Sequence, residues 1–582
     1  MSSAFANVES SLTGRRWIGL PNEILRQGLA ISQELQLPEI VSRAIATQGI
    51  QREHAQSFLD AKIRTLMPNP KSFKDVEKAA KRLIYAINKK QNIAIFSDYD
   101  VDGAASGALL HNWLRELGIS CTIYIPDRIK EGFGPNTTAM KKLSKTHDLI
   151  ICLDSGTVAF ESILAAKPTD VIVVDHHLAE ETLPDAFAIV NPNRQDEMGE
   201  FKYLCATGML FILLVEANTQ LKKDKLKTPN LLNFLDLVAL ATIADVAPLV
   251  GLNRAFVKQG LIVMATRTNP GLNSLCDVCK LTSPPSAYDL GFLLGPRINA
   301  GGRIGSAKLG IELLVAQTDF EAEVIATKLN ALNIERREIE KKVLEEANNQ
   351  LSARDLNSPL LWASKEGWHP GVVGIVAARI KEKHNRPAIV IGLENGLGSG
   401  SARSIKGIDI GSAVTRLTRE NLIIKGGGHS MAAGLSLTND QIPKAMERLT
   451  SLLVANGADN IPPADLTITG LLMCRAATEE LVLNFERAGP FGASAPAPKI
   501  ALLNQKILFS KRAGENHLRL TVSDDSGGKI DVIAFKAFDT PIGEALENHN
   551  GLRFHLVGQL QIDDWGGRKR VKFNLQDAAL AK

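Results

Sequence analysis

Three carboxylates crowd into five residues at Asp98, Asp100 and Asp102, with Gly103 directly after them. Two more acidic clusters follow, Leu153-Asp154-Ser155-Gly156 and Asp175-His176-His177, and Asp245 stands in Ala244-Asp245-Val246-Ala247-Pro248. Carboxylates brought together cannot all ionise without cations, because like charges at short range raise one another's pKa. Hard oxygen ligands joined by an imidazole suit Mn²⁺ or Mg²⁺. Two such ions about 3.5–4 Å apart clamp a phosphodiester and supply a hydroxide at neutral pH. The chemistry to expect is phosphoester hydrolysis. The alternation of Asp98, Asp100 and Asp102 predicts an extended backbone that points all three the same way. Gly103 then predicts a sharp turn into a helix. A lone Asp after a strand is ordinarily a turn or cap residue; the recurrence after successive strands, with a His-His pair, favours metal binding.

The elements that must position these residues read as alternating strands and helices. Short apolar runs at 92–97, 121–125, 148–153 and 171–174 suit buried strands, with helices expected at 103–117 and 157–166. That rhythm indicates a parallel sheet covered on both faces. The carboxyl ends of parallel strands form the ligand crevice, so the clusters should converge there. Residues 231–244 read as a buried helix that delivers Asp245. The chain divides into an N-terminal helical segment (1–75), an α/β catalytic unit (76–315), a long connecting helix within 316–357, a second, glycine-rich α/β unit (358–460) and a terminal β unit (465–582). Five short strands in the last unit fit an OB-type barrel, with a sandwich as the alternative.

Composition narrows the class. The 582 residues carry 67 Lys+Arg against 63 Asp+Glu, a net charge of +4, which does not by itself point to a nucleic-acid partner. The six cysteines are scattered, which argues against a disulfide framework. Cys276 and Cys279 form a C-x-x-C with no second ligand pair at zinc-site spacing. No signal peptide and no membrane span are evident, so the cytoplasm is the expected location.

The triplet Asp175-His176-His177 is the signature of the DHH phosphoesterases, and Asp98–Asp102, Asp154 and Asp245 resemble that superfamily's other metal motifs in order. The resemblance implies Asp100, Asp102, Asp154, His176 and Asp245 as ligands of two divalent ions, Mn²⁺ or Mg²⁺, with Asp98 contributing. It also implies His177 facing the substrate phosphate and Asp175 orienting the histidines from behind. From about residue 70 onward the chain is more closely similar to the RecJ family of exonucleases. The motifs that carry this are Ile129-Lys130-Glu131-Gly132-Phe133-Gly134, Pro296-Arg297-Ile298-Asn299-Ala300-Gly301-Gly302-Arg303, the run from Trp368 to Arg379, Gly400-Ser401-Ala402-Arg403-Ser404 and Gly426-Gly427-Gly428-His429. The family implies 5′-to-3′ degradation of single-stranded DNA to mononucleotides in repair and recombination. It also implies a DHH-associated second unit and an OB-fold. Single-strand-binding protein or a helicase would be partners, and the chain would be a monomer.

Glycine-rich turns let backbone N–H groups approach phosphate. Arg303 and Arg403 have the fork to grip a terminal phosphate, with Ser401, Gly427, Gly428 and His429 beside them. In the terminal unit Trp565, Arg568, Lys569, Arg570 and Lys572 form an aromatic and basic hairpin of the kind that stacks bases and follows phosphates. Two alternatives stand beside this reading. One is a DHH phosphodiesterase for short oligonucleotides or cyclic dinucleotides, whose chains usually lack the terminal barrel. The other is an inactive DHH-like scaffold that only binds nucleic acid, against which the intact Asp and His set argues.

Overall fold

The structure is a computed structural model that describes residues 4–127, 131–461, 464–514, 516–563 and 569–581. After a short strand, β1 (Arg16–Gly19), and a group of helices, the chain lays down β2 (Ile93–Ser97), β3 (Cys121–Tyr124), β4 (Leu149–Leu153), β5 (Asp170–Val174) and β6 (Ala188–Val190). These pair in parallel in the order β3-β2-β4-β5-β6. Both β2 and β4 are buried along their whole length, as uninterrupted apolar runs covered on two faces must be. On one face Ile93, Ile95, Leu149 and Ile151 pack with the helices Val101–Glu116, Ala206–Lys223 and Leu235–Ala244. On the other, Phe96, Ile150 and Val173 meet Met140 and Leu143. The first helix starts at Val101, two residues earlier than expected, and the one expected at 157–166 is only Phe160–Leu164.

The connecting helix is Asp319–Ser352, 34 residues, or about 50 Å at 1.5 Å per residue. It carries the chain into a second sheet of β7 (Leu361–Glu366), β8 (Ala388–Glu394), β9 (Leu397–Arg403), β10 (Lys425–His429) and β11 (Ala432–Thr438), ordered β10-β11-β9-β8-β7. Only β7 and β8 in it are parallel; the other pairs are antiparallel. Then come β12 (Asp465–Ile468), β13 (Gly470–Leu471), β14 (Ile500–Ala513), β15 (His517–Ser523), β16 (Lys529–Ala534), β17 (Arg553–Asp563) and β18 (Arg570–Leu580). β14 to β18 form a closed five-stranded barrel, because β14 pairs with both β15 and β17. Register shifts within β14 between Leu502 and Gln505 and between Ile507 and Phe509 let it bend enough to do so.

The N-terminal segment is not only helical. β1 pairs in parallel with β12, and Trp17, fully buried, donates from Nε1 to Asp577 Oδ2 at 3.0 Å. Ile31, Val41 and Ile45 share one apolar cluster with Phe485, Ile500 and Leu502 of the barrel unit. The first and last parts of the chain are therefore one body. Arg254 ties that body to the catalytic unit. Its guanidinium lies over Phe58 at 3.8 Å and donates to the carbonyls of Phe58 and Arg487 at 3.2 and 3.3 Å.

Candidate metal centre

β2 ends at Ser97, and the backbone turns at once into a helix capped by Asp100, whose Oδ1 accepts from Gly103 N at 3.0 Å. The expected extended alternation is therefore not formed: Asp102 lies in the helix's first turn, 1% exposed. Its carboxylate accepts from Ala206 N at 2.7 Å and Thr207 N at 2.9 Å, the N-terminus of another helix, where a negative charge is favoured. Gly103 is needed for close approach rather than for a left-handed turn. A Cβ there would stand 2.4 Å from Asp98 O. Gly103→Ala should displace the whole aspartate turn and reduce turnover about a hundredfold, the scale expected of an ångström-sized misplacement. Retained kcat in a folded variant would show the turn tolerates the shift.

Asp154 follows β4 with φ 59°, a left-handed conformation uncommon outside glycine, asparagine and aspartate. It is 2% exposed, and its Oδ1 has no hydrogen-bond partner. Asp175 follows β5. Its Oδ1 accepts from the N–H groups of His176 and His177 at 2.7 and 3.1 Å and pairs with His177 Nδ1 at 2.7 Å, while Oδ2 accepts from Thr157 N at 3.0 Å. Asp175 thus orients the ring of His177, but reaches only the backbone of His176. The carbonyls of the two histidines are held by Asn193 Nδ2 (2.6 Å) and Asn191 Nδ2 (2.9 Å). Asp245 caps the C-terminus of Leu235–Ala244.

His176 sits at the middle. Its Nε2 lies 3.3 Å from Asp154 Oδ1 and 3.8 Å from Asp102 Oδ2, and its Nδ1 lies 3.8 Å from Asp245 Oδ2. Three ligand sets have atoms within 4.8 Å of one another: Asp98, Asp100 and Asp154; Asp102, His176 and Asp245; Asp154, His176 and His177. Burial and the charges of Asp102, Asp100 and Asp98 push Asp154 far above the carboxylate range. Burial and the same neighbours Asp102 and Asp100 push Asp245 up to about 8. Burial holds His176 down, whereas the hydrogen bond to Asp175 raises His177 to about 9. Burial would raise Asp175, but the bond to His177 overrides it and holds it well below its ordinary value. A buried carboxylate oxygen without a donor, inside a cluster whose members cannot ionise together, fits divalent cations. Overlapping ligand sets that share Asp154 and His176 fit a pair of them.

The substrate-side candidates lie across a unit boundary. A Cβ on Gly302 would stand 2.1 Å from Tyr99 Cδ2, so the helix Gly295–Ile304 rests on the aspartate turn. Arg303 Nη1 donates to Gly371 O at 3.0 Å, bridging to the helix Pro370–His384. A Cβ on Gly374 of that helix would be 3.0 Å from Arg403 Nη2 and 3.2 Å from Ser401 Oγ. Register aligns the rest. Arg403, Ala432 and His429 form one cross-strand row, and Ser401, Gly434 and Gly427 another, with Gly428 opposite Ala433 between them. Only Ala432 and Gly434 separate the two ends of these rows, about 10 Å apart at the usual strand spacing.

Sequence reading missed the supports: Thr157, Asn191, Asn193, Thr207, and His369, whose Nδ1 accepts from Gly371 N at 3.0 Å. Asn191-Pro192-Asn193 after an apolar run is the local signal for the two asparagines, and His369 stands in the run from Trp368 to Arg379. Of the terminal hairpin, Trp565 and Arg568 lie outside the described residues. Lys569 reaches Glu479 at 3.4 Å, and Arg570 pairs in register with Asp563. Cys276 and Cys279 are free thiols.

Comparison with known proteins gives matches along most of the chain. Residues 92–242 match the DHH family, N-terminal domain, 357–455 the DHHA1 domain, and 468–577 the RecJ OB domain. The single-stranded-DNA-specific exonuclease RecJ of Escherichia coli (strain K12) is 34% identical over 562 residues, 92% of this chain and 95% of that one. Its namesake from Bacillus subtilis (strain 168) is 32% identical over 569 residues, 95% of this chain and 69% of the relative. The crystal structure of RecJ in complex with Mn²⁺ from Thermus thermophilus superposes with a TM-score of 0.79 at 26% identity, covering 97% of this chain and 79% of that one. A second from the same organism, with Mg²⁺, gives 0.73.

Proposed function

The chain belongs to the RecJ family of DHH phosphoesterases, and from that premise we propose that its Asp-His cluster performs the phosphodiester hydrolysis of a single-strand-specific DNA exonuclease. The enzyme is a single-stranded-DNA-specific exonuclease with Mn²⁺ or Mg²⁺ as its cofactor. The observation that carries the site assignment is Asp154 Oδ1, buried, without a hydrogen bond, and 3.3 Å from His176 Nε2.

Bound there, divalent ions lower the pKa of water and stabilise the charge that develops on the phosphoryl group. Asp98, Asp100, Asp102, Asp154, His176 and Asp245 hold them. His177 is fixed through Nδ1 by Asp175, whose hydrogen bond raises its pKa, and this leaves Nε2 to face a phosphate oxygen. Arg303 of the catalytic unit and Ser401, Arg403, Gly427, Gly428 and His429 of the second unit hold the DNA backbone. Between the ends of the two cross-strand rows the central strand presents only Ala432 and Gly434, which leaves space for a backbone to lie across them. Degradation runs 5′ to 3′ and releases mononucleotides. The enzyme acts in the cytoplasm as a monomer, with single-strand-binding protein or a helicase supplying single strands. Among the described residues no helix is long and apolar enough to cross a membrane.

The test is hydrolysis of end-labelled single-stranded DNA with Mn²⁺ and with chelator. Cleavage that persists in chelator would remove the metal centre from the reaction. End recognition needs its own pocket, because every internal phosphodiester looks alike to the metals. Arg403→Ala should lose a charge-assisted contact of about 1.5–3 kcal/mol, roughly ten- to a hundredfold in affinity. The loss should be large with a 5′ phosphate and small with a 5′ hydroxyl. Equal losses would make Arg403 a general backbone contact.

A further inference from the structure

Tyr288 and Phe292 are 63% and 67% exposed, yet their rings stack on each other, centroids 4.7 Å apart and 24° from parallel. They lie on a helical run in which Leu290–Leu294 is a π-helical turn, a feature that is rare and concentrated at functional sites. Leu290 and Leu294 face the core and are fully buried, so the segment has an anchored side and an open one that displays both rings. Its neighbours are the ligand-bearing helix ends. A Cβ on Gly291 would meet Ile243 Cγ2 at 3.2 Å, and one on Gly295 would meet Ala244 Cβ at 3.3 Å and Val101 Cγ2 at 3.9 Å. Ala244 precedes Asp245, and Val101 lies between Asp100 and Asp102. Beyond Asp245, Val246 is 70% exposed with φ 58°, a costly conformation for a β-branched residue.

We propose that the Tyr288–Phe292 pair is a nucleobase-binding ledge beside the metal centre, on which bases of the bound single strand stack. The proposal rests on the single-stranded-DNA reading above and adds a contact to the bases beside the metal centre, where the contacts assigned on the catalytic and second units are to phosphate. Two rings offer too little apolar area for a stable protein interface, which needs a contiguous patch of several hundred Å². They suit a nucleobase, because every base presents a π-face and stacking on an aromatic ring is tolerant of sequence. An exonuclease that advances through any sequence needs a grip of that kind.

The test uses the full chain and two oligonucleotides of equal length, one ordinary and one whose bases are replaced by abasic residues. Their Kd values are measured by fluorescence anisotropy in chelator, where binding is read without turnover, and their KM values with Mn²⁺. In the variant Phe292→Leu with Tyr288→Leu, which keeps apolar bulk and removes the rings, the ratio of ordinary to abasic Kd should rise about tenfold, equivalent to about 1.4 kcal/mol. The KM ratio should move with it. An unchanged ratio, whether both ligands weaken together or neither does, overturns the proposal. Wild-type protein that binds but never cuts single strands would defeat the activity assignment instead, while the Kd ratio still decides on the ledge.

Discussion

Asp154→Asn and His176→Ala should each lower hydrolysis of single-stranded DNA by at least about a thousandfold while leaving the circular dichroism spectrum intact. Asparagine is the informative replacement at 154, because it accepts the left-handed backbone at φ 59° that alanine would strain. The same variant has a stability signature opposite to that of an ordinary core mutation. Burial and four neighbouring aspartates hold the Asp154 carboxyl far above its ordinary range, so in chelator at pH 8 wild type bears an uncompensated cluster that Asp154→Asn relieves. The variant should therefore melt higher than wild type without metal, and gain less from Mn²⁺. A group whose folded pKa is raised contributes stability that is complete below the unfolded pKa and lost as pH rises through the folded one. The metal-free protein should then lose stability from about pH 4 up to the value near 8 held by Asp245. The gain in Tm from Mn²⁺ should grow across that same window, because binding displaces protons. A variant that keeps both its activity and its full Mn²⁺-induced shift in Tm would take Asp154 out of the centre.

Ending the chain near Asn460 should not yield a clean catalytic core. That cut removes the partner of β1 and leaves Trp17, Ile31, Val41 and Ile45 without the barrel residues that cover them. It should give an aggregating protein. Removing residues 1–67 together with everything after 460 takes away both halves of that shared core. The double truncation should fold and hydrolyse very short oligonucleotides. It should bind long single strands at least about tenfold more weakly, with a shallower dependence of affinity on salt, as expected when an OB-type barrel that stacks bases and follows phosphates is removed. Salt titration of binding for the full chain and the double truncation measures this directly. Equal slopes and affinities would assign the barrel a purely structural task.

The residues of the candidate metal centre were legible because their signal is local. An apolar run that ends in acidic residues marks the carboxyl end of a buried strand, and parallel strands must gather those ends on one edge. Asp98, Asp154, Asp175 and the two histidines could be placed together from that rule alone, and Asp245 from the apolar helix before it. Local pattern also sufficed for the long helix at Asp319–Ser352 and for the five strands of the barrel. What it could not supply was any contact between segments far apart in sequence. Nothing in Asp98-Tyr99-Asp100-Val101-Asp102 shows that a helix begins inside it, so the alternation suggested a strand where Asp102 instead turns to meet Ala206 and Thr207. The rows Arg403–Ala432–His429 and Ser401–Gly434–Gly427 exist only through strand register, which one residue of slip would have scrambled. The amphipathic N-terminal helices showed an apolar face but not its cover, because a face specifies that something must bury it, and only the tertiary structure chose the barrel.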